Sequence, residues 1–155
     1  MRGFTLIETV IYIALLGGLL TGALVASADL IESAGKSNTH ATIQDEGSFV
    51  SRKLQWALAG LTSAPTISGS SCAQSLSLTK TGAQNNPIVF AYDSANKAIT
   101  MKEGSNAANP ITTSNVSVSC LSFSTIPANG NGPSGISASF TINGDTFGDT
   151  KYLRK

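Results

Sequence analysis

The sequence predicts an α+β protein: a long N-terminal α-helix, membrane-spanning in its first half, packed on a C-terminal antiparallel β-sheet. Three observations predict it. Residues 4–28, FTLIETVIYIALLGGLLTGALVASA, form an apolar run with one charge, Glu8, and no proline. Residues 43–61 carry an apolar stripe at helical spacing. Beyond Ala64 the texture changes to short apolar or alternating runs divided by turn residues, which is the pattern of antiparallel strands.

A helix needs about 20 apolar residues to cross a bilayer, so residues 4–28 suffice. A cleaved secretory signal has a shorter apolar region, about 7–15 residues, closed by a small-residue cleavage site. Arg2 precedes the run, while Asp29 and Glu32 follow it. That asymmetry favours a cytoplasmic N-terminus and export of everything after residue 28. Glu8 is the anomaly, because an unpaired carboxylate inside an apolar span costs several kcal/mol. Either it sits at headgroup level and snorkels to water, or it meets a cation when the chain assembles with another subunit. Gly17, Gly18 and Gly22 concentrate helix-weakening residues in mid-span. They suit close helix packing in lipid, or a segment that unwinds on assembly.

Residues 29–63 read as an amphipathic continuation of the helix. Ile43, Gly47, Val50, Leu54, Ala57 and Leu61 step by four and three, with Phe49, Trp56 and Leu58 widening the face. The opposite face, with Asp45, Glu46, Ser48, Arg52, Lys53 and Gln55, faces solvent. Residues 35–40 have poor helix propensity, so a bend there competes with the favoured continuous helix. His40, the one histidine, lies in this spacer with no catalytic or metal-binding partner near it in sequence. Residues 64–155 form the head. Strands are expected over 75–80, 88–92, 98–102, 116–124 and 136–143, with a short last one over 150–153. The turn 93–97 joins a hairpin, and the polar loops 104–114 and 127–135 are expected to be exposed.

The composition narrows the function classes. A chain of 155 residues accommodates one head domain plus an appendage. Ten Lys and Arg balance nine Asp and Glu, so no broad field of one sign attracts nucleic acid as a bulk partner. The charged fraction, 12%, is half the usual share, which with abundant Ser, Thr, Asn and Gly suits an uncharged polar surface outside the cell. Cys72 and Cys120 both fall in the exported part, where an even count predicts a disulfide. Two cysteines and one distant histidine cannot build a tetrahedral shell, so no metal and no cofactor are expected. No nucleophile has a base beside it, and an enzyme is not expected. Asn143, Asp145 and Asp149 offer oxygens without the spacing of a calcium loop and read as turn residues. Lys151, Arg154 and Lys155 make a solvated basic tip, and Asn115-Val116-Ser117 matches a glycan acceptor at a level close to chance.

The stretch RGFTLIETVIYIAL resembles the class III leader and N-terminal helix of type IV prepilins and of the pseudopilins of type II secretion systems. The resemblance covers about the first thirty residues; the hairpin IVFAYDSANKAITM and the closing strand are more weakly similar to minor pseudopilins. It implies a leader of residues 1–3, removed by prepilin peptidase after Gly3, and N-methylation of the new terminus at Phe4. Glu8 stands where the family has the glutamate that pairs with the N-terminal amine of a neighbouring subunit, so Phe4 and Glu8 are the implied assembly residues. Val25 stands where the family commonly has a proline, leaving Gly17, Gly18 and Gly22 as the source of helix flexibility. The implied protein is a major or minor pilin or a pseudopilin, built into a filament with other pilin-like subunits. Its other partners are the peptidase, a membrane assembly platform and, before assembly, the lipid bilayer. The implied location is the cytoplasmic membrane, single-pass, and then a periplasmic or extracellular filament. The alternative is a membrane-anchored extracytoplasmic binding module that does not polymerise.

Overall fold

In the computed structural model, residues 5–61, 64–130 and 132–153 are described. Among the described residues, one α-helix, α1 (Leu6–Leu58, 53 residues), is followed by eight strands. The chain divides into two compact units, Met1–Ala41 and Thr42–Lys155. In the first, α1 continues unbroken through the weak segment 35–40. Local bonds support it there: Lys36 pairs with Glu32 one turn earlier at 2.7 Å, and the Thr39 hydroxyl donates to the Gly35 carbonyl. An exposed pair of this spacing contributes about 0.3–0.5 kcal/mol.

In the second unit, α1 buries Ile43, Gly47, Val50, Leu54, Ala57 and Leu58 against the sheet. Two expectations need correction. Phe49 and Trp56 do not widen the buried face; they are 39% and 46% exposed. Lysine side chains shield them instead. Lys80 Nζ lies 4.0 Å from the Trp56 ring centroid and Lys53 Nζ 5.6 Å from that of Phe49. The helix also ends at Leu58 rather than continuing to residue 63, because Gly60 adopts φ +74°, the left-handed turn that closes many helices. The last turn carries no basic residue of its own, and Lys80 Nζ donates to the Trp56 carbonyl, bringing a cation to the helix C-terminus from a distant loop.

The strands are β1 (Thr66–Ser70), β2 (Ala73–Leu78), β3 (Ile88–Asp93), β4 (Ala98–Glu103), β5 (Asn109–Pro110), β6 (Val118–Ile126), β7 (Gly135–Ile142) and β8 (Asp145–Tyr152). They form one sheet in the order β5-β4-β3-β2-β6-β7-β8, with β1 paired to β2. All neighbours are antiparallel except β2 and β6, joined by a single parallel pair, Ala73 with Leu121. The core beneath α1 gathers Leu76, Leu78, Ile88, Phe90, Ile99, Val118, Leu121, Ile136, Phe140 and Ile142, each no more than 2% exposed. Truncating one of them to alanine costs about 2–5 kcal/mol.

The hairpin of β3 and β4 forms where expected, with Asp93 opposite Ala98. The Asp93 carboxylate accepts from the Asn96 side chain and from the Asn96 and Ala95 amides, and these bonds hold its pKa below the ordinary value, the Asn96 side chain contributing most.

Sequence pattern missed β1, which is short and polar, and most of β8, expected only over 150–153. The β7–β8 turn is two residues, Asn143 at φ +50° and Gly144 at φ +96°, the conformation that Asn-Gly adopts in tight hairpins. Along β8 the half-buried Asp145, Phe147, Asp149 and Lys151 alternate with exposed Thr146, Gly148, Thr150 and Tyr152. Inward charges on an edge strand discourage pairing with another chain's edge, and they also erase the apolar alternation that marks a strand. On the other face of the sheet, hydroxyls bond across strands, Thr150 to Ser137 and Thr141 with Thr146. The segment 104–114 is not wholly an exposed loop. It contains β5, packs Ile111 on the core, and buries Thr112, whose hydroxyl oxygen accepts from the Ile99 amide.

Gly47 sits where α1 crosses β8. A Cβ built there lies 2.3 Å from Phe147 Cε1, and that ring is stacked on Phe140 with centroids 5.4 Å apart. Gly47→Ala is expected to destabilise the head by about 1–3 kcal/mol despite improving helix propensity. Thermal melts of the detergent-solubilised chain measure this, and Phe147→Leu in the same chain should recover part of the loss. An unchanged midpoint for Gly47→Ala would show that the ring yields freely.

Candidate functional site

The residue that sequence alone could not explain, Glu8, lies in the first turn of α1. The Thr5 carbonyl starts the helix, accepting from the Glu8 amide at 3.0 Å and the Thr9 amide at 3.2 Å. Thr5-Leu6-Ile7-Glu8 is the Thr-x-x-Glu pattern of a capping box, a signal that the reading of the span as membrane sequence passed over. A carboxylate in the first turn faces the positive end of the helix dipole, so the fold itself partly offsets the charge. The dipole supplies only a partial charge. In lipid, a charged Glu8 would need more than the dipole: a full cation, or water at headgroup level.

Residues 9–41 of α1 are all exposed, and the large apolar side chains Leu6, Ile7, Val10, Ile11, Leu19 and Leu24 are each at least 53% accessible. This helix is long and apolar enough to be a candidate membrane span near the N-terminus. An apolar surface of this extent is covered in the working protein, by lipid or by other helices. Gly17, Gly18 and Gly22 are helical, and a Cβ at any of them meets nothing within 4 Å. The Thr21 hydroxyl satisfies itself on the Gly17 carbonyl at 2.8 Å. Glu8, Leu15 and Gly22 are spaced two turns apart, and Gly18 lies one turn before Gly22. The acid and two of the glycines therefore share one face, along which another helix can approach closely. Gly3 and Phe4, which the resemblance assigns to processing, lie outside the described residues, as does the leader.

In the head, Cys72 and Cys120 form the expected disulfide, with Cα atoms 4.4 Å apart. Its position was not legible from sequence. It stands at the one weak junction of the sheet, between β2 and β6. There the Leu121 amide donates to the Cys72 carbonyl at 3.0 Å, and the Phe123 amide donates to the Gln74 side-chain oxygen, which takes the place of a ladder carbonyl. The seam is thus bridged by one residue pair, the Gln74 side chain and one covalent bond, and beside it the Val118 amide donates to the Lys97 carbonyl at 2.8 Å and the Tyr92 hydroxyl to the Val118 carbonyl at 3.2 Å.

The remaining candidates are dispersed. Asn143 is a turn residue, and its side-chain oxygen accepts from the Ser117 amide at 2.8 Å. Asp145 and Asp149 are not turn residues but lie within β8, and Asp149 accepts from the Gln55 side chain at 3.1 Å. No group of three or more His, Cys, Asp or Glu able to hold a metal occurs among the described residues. His40 and Asn115 are exposed, Lys151 is the penultimate residue of β8 on its inward face, and Arg154 and Lys155 lie outside the described residues. A groove of about 520 Å³ runs between α1 and the segment after β5, lined by Asp45, Glu46, Phe49, Arg52, Ile111 and Thr113. The Glu46 carboxylate accepts from the Thr113 amide at 3.4 Å and tethers that segment to the helix.

Comparison of the chain with models of known protein families, with curated proteins and with solved structures finds no match.

Proposed function

We propose that this chain is a structural subunit, a major or minor pilin or a pseudopilin, of a type IV pilus-like filament. It is processed by prepilin peptidase after Gly3 and assembled through its N-terminal helix. The observation that carries the reading is Glu8: a lone carboxylate in the first turn of a helix whose following 33 residues, 9–41, are all exposed. Cleavage after Gly3 creates an α-amine at Phe4. That amine, on a neighbouring subunit, is the cation Glu8 requires. Amine and carboxylate each pay a large penalty if left unpaired in lipid, so their meeting specifies register between subunits more than it adds stability. The same cut removes Arg2, the one leader cation that holds the N-terminus in the cytoplasm.

Gly18 and Gly22, on the face of Glu8, would let the partner helix approach closely, and with Gly17 they form the stretch where the helix yields most easily. The subunit waits in the cytoplasmic membrane with its N-terminus inside, then passes through an assembly platform into a periplasmic or extracellular filament. Its role is structural, without catalysis.

Intact mass tests the reading directly. In cells with active prepilin peptidase, the chain extracted from membranes is expected to begin at Phe4 and to carry one methyl group. A chain that still begins at Met1 there would overturn the processing step and favour an anchored, non-polymerising binding module.

A further inference from the structure

Strands β6, β7 and β8 distribute their side chains in a way that solvation alone does not explain. On β8 the charges Asp145, Asp149 and Lys151 stand on the helix side of the sheet, while Thr146, Gly148, Thr150 and Tyr152 stand on the open side. A face that needed only to be wet would carry those charges itself. The register extends the same choice across three strands. Ser122, Ser139 and Gly148 stand side by side, as do Ser124, Ser137 and Thr150, and Thr141 stands beside Thr146. None of these positions is charged, and none carries a side chain longer than that of threonine. The core residues Leu121, Phe123, Ala138 and Phe140 alternate with them on the helix side.

The hydroxyls of this face are held in place. Thr141 and Thr146 share a hydrogen bond of 3.1 Å, Thr150 donates to the Ser137 hydroxyl at 3.3 Å, and Ser122 donates to the Ser139 carbonyl at 3.3 Å. A hydroxyl donates once and accepts up to twice, so these bonds order the array and leave acceptor capacity on it. Short side chains also lose little rotamer freedom when a partner covers them. One end of the array is apolar. There Ile126, Gly135 and Tyr152 form the next rank, and Tyr152 Cδ1 lies 3.2 Å from where a Gly135 Cβ would stand, so the ring fills the space the glycine leaves. Tyr152 is still 54% exposed, and part of the ring remains open to a ligand.

We propose that this face binds a neutral polysaccharide. A sugar ring presents hydroxyls around its rim and C–H groups on its faces. The rim bonds the serine and threonine array, and one C–H face lies on Tyr152. An uncharged face suits an uncharged ligand, because no ion is stripped of water to form the contact. An acidic polymer or a nucleic acid finds no cation at these positions, and a protein partner finds little apolar area beyond Tyr152 and Ile126. The inference does not depend on the filament reading, since an anchored module would present the same face.

A binding assay on the full chain, held in nanodiscs of neutral phospholipid, tests it. The chain is incubated with cellulose, chitin, starch and alginate, and the bound fraction is measured against polymer concentration. Binding to at least one of the three neutral polymers is expected, unchanged when salt is raised from about 0.1 to 1 M, with only background binding to alginate. Tyr152→Ala should weaken it about tenfold, and Tyr152→Phe, which keeps the ring, should weaken it little. Thr150→Val keeps the branched shape and removes the hydroxyl, and should weaken binding about fivefold with the melting curve unchanged. These last two variants keep a folding defect at Gly135 from passing for a binding defect. No binding to any neutral polymer, tighter binding to alginate, or binding that survives both Tyr152→Ala and Thr150→Val would overturn the proposal.

Discussion

Glu8→Ala is expected to abolish filament formation while leaving the chain inserted in the membrane and its head folded. Quantified as sheared filament per cell, the yield should fall by more than an order of magnitude. Membrane-fraction abundance and formation of the Cys72–Cys120 bond should be unchanged, because residue 8 belongs to the first compact unit, and the disulfide and core residues belong to the second. Removing an uncompensated carboxylate from an apolar segment favours insertion, by about 2.5–3.5 kcal/mol at the bilayer centre and less near the surface. The loss would thus fall on assembly and not on storage. Glu8→Gln separates charge from capping. Glutamine keeps the capping-box pattern with Thr5 but carries no charge to form an ion pair with an ammonium group, so it should behave like alanine in filament yield. Normal yield from both variants would show that Glu8 is interfacial and would favour the anchored binding module.

The second large effect is expected at the seam of the sheet. Replacing Cys72 and Cys120 together by serine releases a constraint across 48 positions, for which chain entropy predicts about 4 kcal/mol. For a head of this size that corresponds to a fall of roughly 10–20 °C in melting temperature. The loss should be local in its first signs. Hydrogen exchange at the Leu121 and Phe123 amides, which donate across the seam to Cys72 and Gln74, should accelerate before exchange in the β3–β4 hairpin does. Equal acceleration everywhere would mean that the bridge constrains the unfolded chain and does nothing particular for the seam. An unchanged melt and unchanged exchange would remove both roles.

How far the molecule was legible follows from where the information lies. The apolar span and the stripe through Ile43, Val50, Leu54 and Ala57 are periodic over many residues, and both appear in α1. The β3–β4 hairpin was legible because Asp93 and Asn96 satisfy the turn within a few residues of each other. Strand β8 was not, although Asn143-Gly144 announces its turn, because its inward positions alternate Asp, Phe, Asp and Lys. Phe49 and Trp56 were placed on the wrong face because hydrophobicity does not tell a core aromatic from one covered by a lysine. Lys53, one turn from Phe49, shields one ring, and Lys80 shields the other from a loop far away in sequence.

Local pattern is enough for the coarse architecture: one helix apolar enough to span a membrane, one carboxylate near its start, and an antiparallel sheet with a disulfide. These rest on composition and short-range period, which the chain carries without folding. Folding in three dimensions sets the rest: the disulfide beside a seam of one residue pair, the room Gly47 leaves for Phe147, and the Lys80 cation at the end of α1. Each of these joins residues distant in the chain. Their meeting is set by strand order and by the packing of the helix on the sheet, which no local pattern encodes.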